Sequence, residues 1–217
     1  MVVFALTLTF ASVDWIMSLD PHWYSTIFGV YYFSGSLVGA FAFLIVMITV
    51  MRGQGLLRRV VSVEHFHDLG KLLFAFVAFW SYIAFSQYFL IWYANIPEET
   101  VWYAHRQVGT WKWATIALAL GHFLVPFFFL LPRTVKRRTG ALLAGAVWLL
   151  LMHWVDIYWQ VMPRLHPDGV HVVPLDVTTL LALGGAFLAA FSWLTRRAAL
   201  LPIKDPRLPE SLGFENA

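Results

Sequence analysis

From Leu72 to Ile96 the chain carries no charged residue, and the segment just before that run, His65-Phe66-His67-Asp68-Leu69-Gly70-Lys71, is dense in ionisable ones. A hydrocarbon core of roughly 30 Å takes about 20 apolar residues to cross as a helix. Inside it every backbone N–H and C=O must be paired within the segment, which leaves helices and closed barrels as the spanning structures. A run this long is helical in period and length. A charge carried into hydrocarbon costs about 2.5–3.5 kcal/mol on insertion scales, so ionisable groups at the mouth of such a helix normally face a protein interior and act there.

The pattern recurs along the chain. Of 217 residues, 60% are hydrophobic and 12% charged, against about 25% charged in an ordinary soluble domain. The prediction is an all-α, polytopic transmembrane helical bundle of about six helices over residues 1–201, with spans at about 1–17, 24–51, 67–93, 111–131, 141–161 and 177–194. A Pro-rich tail follows over 202–217, where Pro202, Pro206 and Pro209 oppose continuation of a helix. The first span is short and lacks a charged leader, so it reads as a helix whose start is missing, not as a signal peptide. Cysteine is absent, which excludes disulfides, thiolate-held iron–sulfur clusters and Cys-ligated zinc within the chain. Any metal would have to come from His and carboxylates, and no metal site is predicted.

Lys and Arg set the topology. Arg52, Arg58 and Arg59, then Arg133, Lys136, Arg137 and Arg138, then Arg196, Arg197, Lys204 and Arg207 fall in alternate connections. Those regions, and both termini, are expected to be cytoplasmic. The net charge of +3 reflects this asymmetry and gives no reason to invoke nucleic acid. Trp15, Trp23, Trp92, Trp102, Trp111, Trp113, Trp154 and Trp159 gather toward the opposite side, where interfacial anchoring explains most of them. Gly35 and Gly39 form a GxxxG pair, read as a helix-packing device with no functional content.

At about 100° per residue the third helix places His67, Asp68, Lys71, Ala75, Ala78, Tyr82, Ser86 and Tyr93 within one arc. This polar stripe is expected to look into the bundle. Two readings of its charged end stay open. Lys71 and His67 sit within a turn of the interface, where a Lys can snorkel with Asp68 as its partner; or the trio opens a proton path, with His67 titratable near neutral pH.

Further ionisable groups lie deeper. The fifth span carries His153, Asp156 and Gln160 on one face, the fourth has His122 near its midpoint, and Asp14 lies one turn inside the end of the first. Pro126 is expected to free the carbonyl of residue 122. Together these sketch an outer half-track (Asp14, His153, Asp156) and an inner one (His67, Asp68, Lys71), with His122 between them. Each taken singly is equally explained by a hydrogen bond between helices. His122 and His153 are also the one plausible axial pair for a b-type haem, at unequal depths. Aromatics beside His22 and Trp23 could border a quinone headgroup, although interfacial anchoring explains them as well.

Three segments carry a resemblance: Ser12-Val13-Asp14-Trp15-Ile16-Met17-Ser18-Leu19-Asp20-Pro21-His22-Trp23-Tyr24-Ser25-Thr26, Phe66-His67-Asp68-Leu69-Gly70-Lys71-Leu72, and Ala84 through Thr100 with its Phe85-Ser86-Gln87-Tyr88 core. They closely resemble the polysulfide-reductase-like (NrfD-like) family of membrane proteins, and within it the branch that serves bacterial alternative complex III. The resemblance implies a multi-pass component, in the bacterial inner (plasma) membrane, of a quinol:cytochrome c or quinol:oxidase oxidoreductase of a respiratory chain. It implies partner subunits that hold haem c and iron–sulfur clusters, contact with membrane lipids, and quinol or quinone, menaquinol included, as the substrate of the complex. No cofactor bound by this chain is expected. Onto the matching motifs it carries His67, Asp68, Lys71, Asp14 and Gln87 as candidate proton-conducting residues. Members of that family have more transmembrane helices than this chain, so the sequence is expected to begin at an internal Met or to represent a split gene. A lipid-binding scaffold without a proton path is the alternative function, and a haem-b-binding anchor a further one.

Overall fold

The computed structural model describes residues 2–215; Met1 of the first predicted span and Asn216 and Ala217 of the tail lie outside them. Among the described residues there are helices and no strands, and five of the helices are long and apolar enough to cross a membrane. The fold is all-α as expected: besides those five, one shorter apolar helix lies near the start, and the described residues form ten α-helices. In chain order they are α1 (Val2–Trp15), α2 (Phe28–Gly53), α3 (Val63–Ala94), α4 (Pro97–His105), α5 (Trp111–Leu118), α6 (Val125–Leu130), α7 (Arg133–Arg137), α8 (Thr139–Leu165), α9 (Pro174–Arg197) and α10 (Leu208–Leu212). A π-helical segment, Ala119–Leu124, joins α5 to α6 so that Trp111–Leu130 forms one continuous span.

Residues 1–170 form one compact unit and 171–217 another. In the first, α2 is the central helix and packs on α1, α3 and α8. Its buried face is Phe28, Tyr31, Gly35, Val38, Gly39, Ala42 and Ile45, a three-and-four spacing in which small residues allow close approach. Such spacing matters because lipid tails are as apolar as leucine, and association in a membrane therefore depends on packing and on hydrogen bonds between helices. In the second unit, Asp176 caps α9 by accepting from the Val173 N–H at 3.0 Å. The Pro-rich tail holds one further helical stretch, the five-residue α10, with Pro209 in its first turn.

Local chemistry explains the ends of α3. Ser62 is its N-cap: the hydroxyl accepts from the Glu64 N–H, and the His65 ring accepts from the Ser62 N–H at 3.2 Å. At the other end Asn95 takes the left-handed conformation (φ 51°), which Asn tolerates better than most residues. With 32 residues and a rise of about 1.5 Å each, α3 is about 48 Å long and overshoots a hydrocarbon core. Its first turns carry Glu64, His65, His67, Asp68 and Lys71. There Glu64 is bound by Arg137 of α7 through two hydrogen bonds of 2.8 and 2.5 Å.

The polar stripe of α3 requires correction. The buried face is Phe66, Gly70, Leu73, Val77, Trp80, Ile83, Gln87 and Ile91, together with His67, whereas Tyr82 is 66% and Tyr93 76% exposed and Ser86 is only partly buried. Large apolar side chains and Trp80 win the interface with α2, and the arc drawn through Tyr82, Ser86 and Tyr93 turns outward. The tryptophans also divide. Trp15, Trp92 and Trp113 are exposed in the manner of anchors, but Trp23, Trp102, Trp111 and Trp159 are buried, and Trp23 stacks on Trp102 with ring centroids 4.5 Å apart.

Candidate functional site

Asp156 sits at the centre of the first unit, 1% exposed. The α8 periodicity puts it on the buried face with Leu149, Met152 and Gln160. Tyr31 of α2 donates its hydroxyl to Oδ1 at 2.5 Å, and Trp80 of α3 donates its indole N–H to Oδ2 at 3.1 Å. Three helices thus converge on one carboxylate. Burying it without such donors would be prohibitive, and hydrogen bonds to a charged group are worth more than neutral ones.

Beside it lie two imidazoles. His122 is fully buried, and its ring is 3.9 Å from that of Trp80 and 6.4 Å from that of His153, centroid to centroid. Neither ring nitrogen of His122 has a hydrogen-bond partner among the described residues, and Nδ1 of His153 has none either. His122, His153 and Asp156 each present one potential ligand atom, and these atoms lie within 4.8 Å of one another.

The space for this cluster comes from α2. A β-carbon at Gly35 would lie 3.3 Å from Cε1 of His153 and 3.4 Å from Oδ2 of Asp156. One at Gly39 would lie 2.9 Å from Cδ2 of His153. The GxxxG pair, expected to be packing alone, is therefore the seat of the imidazole and the carboxylate. His122 is placed by the π-helical segment, a distortion often found at functional sites. The carbonyl engaged there is that of Gly121, which accepts from the Trp148 indole N–H at 2.7 Å, not that of residue 122. In π geometry the donor to residue 121 would be residue 126, and Pro126 has no N–H.

A cleft of about 570 Å³ opens beside the cluster, lined among others by Tyr31, Trp80, Tyr88, Tyr103, Arg106 and Phe123. Arg106, 3% exposed, has no carboxylate partner among the described residues and is held by three carbonyls: Nη1 donates to Trp102 (2.8 Å), Nη2 to Gln160 (2.7 Å) and Nε to Trp159 (3.1 Å). Pro163, four residues beyond Trp159, provides no helical N–H for that carbonyl, which leaves it to the guanidinium. The guanidinium lies 3.4 Å from the centre of the Trp102 ring. Burial lowers its pKa to about 9, so it stays cationic at neutral pH.

The other predicted residues are placed as follows. Asp68 and Lys71 form a half-exposed ion pair at 2.6 Å. His67 is buried beside them with Nδ1 unpartnered. Gly70 faces the stem of Lys136, where a β-carbon would fall 3.0 Å from Cγ; the buried Lys136 amine donates to the carbonyls of Leu130 (2.6 Å) and Leu131 (2.9 Å) and closes the end of α6. Burial lowers its pKa. Asp14 is exposed on α1, so the outer half-track does not assemble through it. His22 is exposed, and Trp23 is locked in the aromatic core with its indole N–H on the Glu99 carbonyl (3.1 Å). Neither His22 nor Trp23 lines the cleft. Around the axial pair considered for a haem, Trp80 packs against the His122 ring and the α2 glycines against the His153 ring.

Tyr31, Trp80 and Arg106 were absent from the predicted site. Signals for two of them existed. Trp80 is a tryptophan near the middle of a span, where interfacial anchoring does not apply. The Pro97-Glu98-Glu99 start is a helix-initiation signature announcing α4, which leads into Arg106. Compared with known protein families and with curated proteins, the chain matches none.

Proposed function

We propose that this membrane protein is a component of a respiratory quinol:cytochrome c or quinol:oxidase oxidoreductase, of the kind suggested by its resemblance to the NrfD-like proteins of alternative complex III, and that it conducts protons. One observation carries the reading: a carboxylate, a phenol and two imidazoles gathered inside an apolar helical bundle, where intramembrane ionisable groups are functional by default. Asp156 holds or releases a proton against Tyr31, whose hydroxyl faces Oδ1 at 2.5 Å. His153 and His122 are the next groups able to carry it. His67 with the Asp68–Lys71 pair supplies the cytoplasmic mouth.

The cleft favours a second contribution. Its aromatic walls, with Arg106 and the tyrosine hydroxyls as polar contacts, suit a quinol or quinone ring such as that of menaquinol, next to the group that would take its proton. Haem c and iron–sulfur clusters belong to partner subunits in this reading.

The test is Asp156→Asn in the assembled complex, reconstituted into vesicles. Proton movement per electron should fall while electron transfer from quinol is less affected. Unchanged proton stoichiometry in a correctly assembled variant removes the reading and leaves a lipid-binding scaffold.

A further inference from the structure

We propose that His122, His153 and Asp156 form a binding site for a divalent transition-metal ion of the zinc class. Two imidazoles and a carboxylate are the donor set such an ion takes when no thiolate is offered. Their ligand atoms already lie within 4.8 Å of one another. A tetrahedral shell with bonds of about 2.0–2.1 Å brings ligand atoms to about 3.3 Å apart, so binding requires the donors to close by at most about 1.5 Å from their present spacing.

Three further observations point to a ligand here. His122 is fully buried and both its ring nitrogens lack partners; an unsatisfied buried polar group normally costs about 1–3 kcal/mol, and coordination would satisfy one of the two. Asp156 is held in orientation by the Tyr31 hydroxyl and the Trp80 indole, as metal-binding carboxylates commonly are. The α2 glycines clear room for the His153 ring and the carboxylate together. The cleft reaches Tyr31 and Trp80, the two side chains that hold Asp156, and provides an approach.

This departs from the sequence-based expectation of no metal and goes beyond the proton reading. A dication on these groups would occupy the proton carriers and block transfer through them.

The test uses the full chain purified in detergent, stripped with a chelator and titrated calorimetrically with zinc chloride. One ion should bind per chain, and His122→Phe and Asp156→Asn should each weaken binding more than about tenfold, whereas replacing the exposed His22 and His171 by Ala should not. No stoichiometric uptake, or uptake insensitive to His122→Phe and Asp156→Asn, overturns the site. Should those variants fail to fold, X-ray absorption of the cobalt-loaded native chain decides: a shell with two imidazoles upholds the proposal, and one with fewer overturns it. Zinc uptake by the native chain together with unaltered proton movement in Asp156→Asn would keep the metal site and remove the proton reading.

Discussion

A β-carbon on Gly39 would stand 2.9 Å from Cδ2 of His153, closer than packed atoms tolerate, so the second glycine of the GxxxG pair and a half-buried imidazole on the neighbouring α8 share one volume. In a bundle where apolar burial provides little drive, that shared volume decides how closely α2 and α8 approach.

Gly39→Ala should therefore lower stability by about 1–3 kcal/mol, the usual effect of overpacking. Gly140→Ala, where nothing lies within 4 Å of the new atom, should be neutral or stabilising by up to about 1 kcal/mol. Unfolding in detergent compares the two, and equal effects would contradict the packing relationship.

Tyr31→Phe removes the phenolic donor from a buried carboxylate and should destabilise by about 1–3 kcal/mol. In the Asp156→Asn background the same change should do less, since the two groups interact directly. Additive losses in the double-mutant cycle would mean that the bond contributes nothing.

Arg106→Lys retains charge but not the planar fork. A lysine amine cannot reach three carbonyls on two segments in the same geometry, and loss of even one such bond to a charged group is worth about 1.5–3 kcal/mol. Faster hydrogen exchange in α4, with a change in tryptophan fluorescence from Trp102, is the expected readout. Native-like protection in the variant would show that the fork is dispensable.

Burial holds the Lys136 amine below its ordinary value of 10.5. Between the lowered pKa and 10.5 the unfolded chain binds more protons than the folded one, so this group makes stability rise with pH across that window and adds no slope below it. Relative to Lys136→Met, the native chain should gain stability as pH climbs toward 10.5. Thermal midpoints across the alkaline range check the sign, and a falling difference would contradict it.

Much of the architecture was legible in the residues. The runs at 24–51, 67–93 and 141–161 read as helices, because hydrocarbon leaves only helices and closed barrels for their backbone groups and the runs are far longer than a barrel strand. The face of α8 bearing His153, Asp156 and Gln160 could be projected from a spacing of three and four. The same projection misleads on α3, where polar content is a poor sign of the inner face. Burial there follows size and shape: Trp80, Leu73 and Val77 fill the interface, and Tyr82 and Tyr93 remain outside. The sequence places Arg106 at the end of the helix that Pro97-Glu98-Glu99 announces but does not show what holds it, since one of its carbonyl partners is left open by Pro163 on another helix.

By itself the sequence determined that this chain is a bundle of membrane-spanning helices and that ionisable groups lie within it, because both follow from one-dimensional quantities: length, polarity and period. Tertiary structure alone decided which of those groups meet. Tyr31 and Asp156 stand 125 residues apart in the chain, and their contact depends on the helix separation allowed by Gly35 and Gly39, while the π-helical segment sets where His122 falls. These are rotations and distances between helices, and no periodicity within a single helix encodes them.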